Sequence, residues 1–128
     1  MHWISTWFLR IGALAAAAGM GLGLFMAMAG DHSQMPLHAH INLIGWVSMM
    51  LYGLFYRAIP EATQGPLPRI QFVLSVAGLL AIVPGLALID SGDEALGGPF
   101  AGGGAILTIL GILIFLVTVF RWTKTRTA

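Results

Sequence analysis

The chain has 128 residues, 58% of them hydrophobic and only 9% charged, a net charge near +1 and no cysteine. Soluble domains carry about 25% charged residues, and a chain with a mean hydropathy of +0.88 cannot cover its surface for water. These numbers exclude a separate soluble domain, disulfides and thiolate sites, and no basic arm marks a nucleic-acid binder.

A membrane-spanning helix needs roughly 20 mainly apolar residues, and four such runs are present, about 11–29, 37–56, 70–89 and 99–120. Runs this long and continuously apolar are helices, because lipid satisfies no backbone group. The expectation is an all-α integral membrane protein, with residues 1–128 forming one four-helix transmembrane bundle.

The first run follows Arg10 and carries Gly19 and Gly23 four residues apart, with Gly12, Ala15 and Ala16 extending its small surface. Such a surface lets helices approach closely, within the bundle or between copies. Arg10, the apolar run and Ala27-Met28-Ala29 also fit a cleavable signal peptide. Cleavage would leave an odd number of spans and spoil the charge pattern, so the run is read as a span.

The first break, Gly30 to Pro36, contains His32 and leads into His38 and His40. Three of the chain's four histidines thus fall within nine residues at the start of the second run. With about 100° per residue, Asn42, Gly45, Trp46, Met49, Tyr52, Gly53 and Tyr56 share a face with His38. Leu43, Ile44, Val47, Leu51 and Leu54 lie opposite. His40 stands about 200° from His38, so the two cannot both ligate one metal from a regular helix. A polar face on a membrane helix looks into the bundle. Such histidines can also simply bond water or lipid phosphate.

Pro60, Gly65, Pro66 and Pro68 punctuate the second break, and Ser91-Gly92-Asp93 with Gly97-Gly98-Pro99 the third. Pro84-Gly85 marks a kink in the third run. The fourth opens with Gly102-Gly103-Gly104 and includes Gly111; no convincing internal repeat stands out.

All six basic residues, Arg10, Arg57, Arg69, Arg121, Lys124 and Arg126, fall before span one, between spans two and three, or after span four. The other two loops hold Asp31, Asp90, Asp93 and Glu94. The positive-inside rule then puts both termini in the cytoplasm and the histidine cluster on the outer, periplasmic side of a bacterial inner membrane.

Pro36-Leu37-His38-Ala39-His40, with Asn42, Gly45-Trp46 and Tyr52-Gly53, resembles a helix of haem–copper oxidase subunit I. The likeness is nearest to the cbb-type oxidase and nitric oxide reductase branch. The chain as a whole is similar to short four-helix bacterial proteins described as cytochrome oxidase subunit I-like. In the larger family a histidine at the outer end of such a helix binds haem iron, so the resemblance implies haem b on His38. Those oxidases use about twelve helices and six metal-binding histidines; spans one, three and four here have none. A complete oxidase site cannot be built, and enzyme activity is not expected. No Ser/His/Asp grouping, P-loop or dinucleotide fingerprint is present.

The cofactor-binding set is therefore His38, His40, Asn42, Trp46 and Met28, with Met26, Met28, His32, His40 or a second copy's histidine as the other axial ligand. A homodimer with haem at its interface is the preferred arrangement. The functions implied are electron transfer, haem handling or gas sensing. The alternatives are a copper site of His32, His38 and His40 with Met35, and a structural or assembly subunit of a respiratory complex.

Overall fold

A computed structural model describes residues 1–125. It is all-helical: α1 (Trp3–Ala29), α2 (Met35–His40), a π-helix (Ile41–Ser48), α3 (Met49–Ala58), a 3-10 turn (Pro60–Thr63), α4 (Leu67–Asp90) and α5 (Glu94–Trp122). Three helices, α1, α4 and α5, are long and apolar enough to cross a membrane. Arg126, counted above with the basic end, lies outside the described residues.

The second apolar run departs from expectation. It is helical throughout, but its middle eight residues are π rather than α. Two side chains sit on carbonyls that an α-helix would use. Asn42 Nδ2 donates to His38 O at 2.9 Å, and Ser48 Oγ donates to Leu43 O at 2.7 Å. Such side-chain bonds compete with the helical ladder, and the backbone accommodates them in the wider π register. Leu37, Ile41, Gly45 and Met49, each four residues on, all stay buried. That spacing lies between the α and π periods.

Helix ends follow short-range chemistry. His2 caps α1, its Nδ1 accepting from the Ile4 N–H at 3.2 Å, and Gly30 closes α1 in the left-handed conformation, φ 64°. Asp93 caps α5, its Oδ1 accepting from the Leu96 N–H at 3.1 Å. The fourth run therefore starts a turn before Pro99, the start expected from sequence. Pro84 lies inside α4, which stays helical to Asp90.

Packing divides the molecule into two seams: α4 against α5, and α1 against the α2–π–α3 run. In the first, Gly97, Gly104, Gly111 and Thr118 of α5 are buried at intervals of seven, and the three glycines meet Gly85, Gly78 and Ser75 of α4 in turn. A seven-residue repeat keeps one line of contact along a left-handed pair. This repeat is a finding of the structure, not of the sequence reading. The backbones touch: a Cβ at Gly85 would stand 2.5 Å from Ala101 N, and one at Gly104 2.7 Å from Ile82 N. Nearer the arginines, Ile4, Phe8, Met49, Tyr52 and Tyr56 form the main core. Phe8 stacks on Tyr56 there, and Phe115 meets Tyr52 edge-on.

Candidate functional site

The chemistry-bearing residues collect where α2 and the start of the π-helix meet α1. His38 and Asn42, one turn apart, both lean on α1, and both occupy glycine seats. A Cβ at Gly23 would meet His38 Cε1 at 2.8 Å, and one at Gly19 would meet Asn42 Oδ1 at 2.5 Å. The Gly19/Gly23 pair is thus used inside the chain, to seat an imidazole and an amide.

His38 Nδ1 lies 2.8 Å from Gly19 O, and His40 Nδ1 lies 2.7 Å from Pro36 O. A carbonyl oxygen only accepts, so Nδ1 carries a proton in both rings, and in the neutral imidazole Nε2 keeps its lone pair. Asn42 Nδ2 is 3.3 Å from His38 Nδ1 and 3.4 Å from Nε2. With Nδ1 protonated only Nε2 can accept, and because Nδ2 is nearly equidistant from the two nitrogens it lies off the Nε2 lone-pair direction, which makes that 3.4 Å contact a weak one. The Asn42 amide instead donates to the His38 carbonyl, which ties both residues to one backbone geometry.

The two rings face different ways. His38 is held by α1, while His40 bonds only its own helix. Leu37 and Ile41, flanking the His38 side, pack with Val83, Leu86 and Ala87 of α4. His40, about 200° round the helix from His38, does not share the face that meets α1, and it is half-buried. Trp46 is half-buried and packs against the small core of Ala15, Leu37 and Ile41.

The remaining sequence candidates are dispersed. His32 is exposed in the connection between α1 and α2. Among the described residues no three His, Asp or Glu side chains form a group able to hold a metal ion, so His32, His38 and His40 do not gather at one point. Met28 is 80% exposed and follows Gly23 by five residues, which turns it toward another face of α1. Met26, three residues after Gly23, shares the face that meets His38 and is 3% exposed.

Sequence reasoning missed Gly19 and Gly23 as seats and a buried polar pair nearer the arginines. Tyr56 OH donates to Gln71 Oε1 at 2.7 Å, and Gln71 is fully buried. Gln71 Nε2, Ser75 Oγ and Thr108 Oγ1 have no hydrogen-bond partner among the described residues. The signal was present, since Gln71 is an amide in an otherwise apolar run. In the loop beyond α1, the Ser33 N–H donates to Asp31 Oδ1 at 3.0 Å. That bond holds the Asp31 carboxyl below its usual range.

No family model, curated protein or solved structure matches this chain.

Proposed function

We propose that the protein is a haem b-binding membrane protein related to haem–copper oxidase subunit I. In this reading it spans the bilayer four times, the α2–π–α3 run being the second span, with its arginine end cytoplasmic. The observation that carries the proposal is the paired tautomer. Histidines that bind metals donate their other ring N–H to a carbonyl or carboxylate, which fixes the ring and raises its basicity. His38 and His40 both do so, at 2.8 and 2.7 Å, leaving Nε2 for a ligand.

The residues fit the group in donor chemistry: two imidazoles with Nδ1 bonded to a carbonyl, and a thioether. His38 is the rigid one, clamped by Gly19 O and seated on Gly23. His40, on a different face of the helix from His38, would suit an iron shared with a second copy, and the thioether of Met26 would be a further donor of the right chemistry. The two imidazoles, with the thioether, would hold the iron. Bound there, haem would supply one-electron redox chemistry or a site for a small gas. The chain's own part is to hold the imidazoles at fixed tautomer and angle and to shield one side with Leu37, Ile41 and Trp46. The copper alternative has less support, as His32, His38 and His40 are not gathered.

A second reading, a scaffold subunit, is favoured by one observation: His38 and Asn42 fill their seats as well-bonded packing groups. A visible spectrum of purified protein, oxidised and reduced, separates the two. The haem reading expects a Soret band and sharp reduced α and β bands, lost in His38→Ala or His40→Ala. A colourless protein that also gains no band with added hemin leaves the scaffold.

A further inference from the structure

The end of the bundle away from His32, His38 and His40 carries Arg10, Arg57, Arg69, Arg121 and Lys124, and also three of the four tryptophans, Trp3, Trp7 and Trp122. Trp3 and Trp7 are 43% and 48% exposed. Arg10 lies over the Trp7 ring at 5.2 Å and Arg121 over the Trp122 ring at 5.8 Å. Indoles gather at the headgroup level of a bilayer, so the tryptophans place this end at the depth of the lipid phosphates.

A cavity of about 430 Å³ opens at that level, lined by Met1, His2, Tyr56, Arg57 and Pro60. Two donors meet in it. The His2 Nδ1 accepts from the Ile4 N–H at the start of α1, so in neutral His2 the proton is on Nε2, which must donate elsewhere. Among the described residues the Arg57 guanidinium bonds only the Met1 thioether sulfur, at 2.8 Å. A thioether is a weak acceptor, and most of the five guanidinium N–H donors stay available. Glu61, the acid at this end, is exposed and is not among the lining residues.

We propose that this cavity binds the phosphate of an anionic phospholipid headgroup, with Arg57 donating to two phosphate oxygens and His2 Nε2 to a third. A planar guanidinium fork matches phosphate geometry, and basic pockets at the cytoplasmic ends of membrane helices suit anionic headgroups. The inference needs this end to lie at a membrane surface; it does not need haem.

The test is native mass spectrometry of the full chain in detergent, titrated with phosphatidylglycerol and with phosphatidylcholine. Phosphatidylglycerol should bind about tenfold tighter or more. Arg57→Gln should weaken it about twentyfold, as expected for a charge-assisted bidentate contact. Arg69→Gln, which removes a charge outside the cavity, should cost no more than about fivefold, the weight of one basic residue near an anionic surface. His2→Asp keeps a side-chain cap for α1 but puts a carboxylate where the donor was, and should also cost about tenfold. It decides the matter should Arg57→Gln fail to fold. Equal losses in Arg57→Gln and Arg69→Gln, or equal binding of the two lipids, would overturn the proposal. Displacement of phosphatidylglycerol by millimolar inorganic phosphate would overturn the lipid as occupant.

Discussion

Both seams of this molecule are built on glycine, but beside His38 and Asn42 it serves a different purpose from its main one between α4 and α5. Between α4 and α5, glycine lets backbone meet backbone: Gly78, Gly85, Gly97 and Gly104 face main-chain atoms of the other helix. Between α1 and the second run, Gly19 and Gly23 instead admit polar side chains, Asn42 and His38. The first arrangement gains dispersion contacts along the whole pair, the force that joins helices where lipid removes the hydrophobic drive. The second gives up some of that contact to hold an imidazole at a fixed angle. A small residue on a membrane helix therefore shows where something comes close, and the facing residue decides whether that something is structure or chemistry.

The comparison can be broken by giving one methyl group to each seam. Gly85→Ala should have the largest effect on stability. Its Cβ would sit 2.5 Å from Ala101 N and 3.0 Å from Gly97 O, and backbone cannot swing aside. The helices must separate, at a net cost of about 2 kcal/mol, overpacking outweighing the propensity gain of alanine. Unfolding of the detergent-solubilised protein by added SDS should show it. An unchanged midpoint would mean that the seam is looser than a backbone contact.

Gly23→Ala should cost less, yet do more to the site. The obstructing atom is His38 Cε1, on a side chain that can rotate. Rotation sacrifices the Nδ1 bond to Gly19 O, worth about 1 kcal/mol, and frees the tautomer. The expected result is a stability loss of about 1 kcal/mol together with the same spectral change as His38→Ala. An intact spectrum would show that the ligand is held by something other than the α1 seat. Nuclear magnetic resonance of ¹⁵N-labelled histidine adds a direct check: wild type should show Nδ1 protonated in His38 and His40.

This difference explains how far the sequence could be read. Long apolar runs and turn residues locate helices, because both are local properties. The polar face of the second run was legible for the same reason: His38, Asn42, Gly45 and Met49 recur within the helical period. The π-helix was not, because it arises from Asn42 and Ser48 bonding carbonyls four and five residues back, a competition that periodicity does not weigh. The spacing of Gly19 and Gly23 was visible, but not its occupant, since the partner of a glycine is a tertiary fact. The seven-residue repeat of Gly97, Gly104, Gly111 and Thr118 was obscured by the neighbouring Gly98, Gly102 and Gly103. Asp93 stood in plain view before the fourth run, yet Pro99 drew the helix start away from it.

Those neighbouring glycines supply the smallest and sharpest test. Nothing lies within 4 Å of a Cβ built on Gly102, whereas Gly104, two residues on, meets Ile82. If close approach alone sets the cost, Gly102→Ala should be neutral or stabilise α5 by about 0.5 kcal/mol through helix propensity, and Gly104→Ala should destabilise as Gly85→Ala does. The pair shares a helix, a depth and a residue type, so propensity and lipid solvation cancel between them and only the facing surface differs. A Gly102→Ala variant that loses stability in proportion to protein concentration would locate a second copy on that face of α5. The exposed glycines would then be a third seam, between chains, packed by the same backbone contact as the α4–α5 pair.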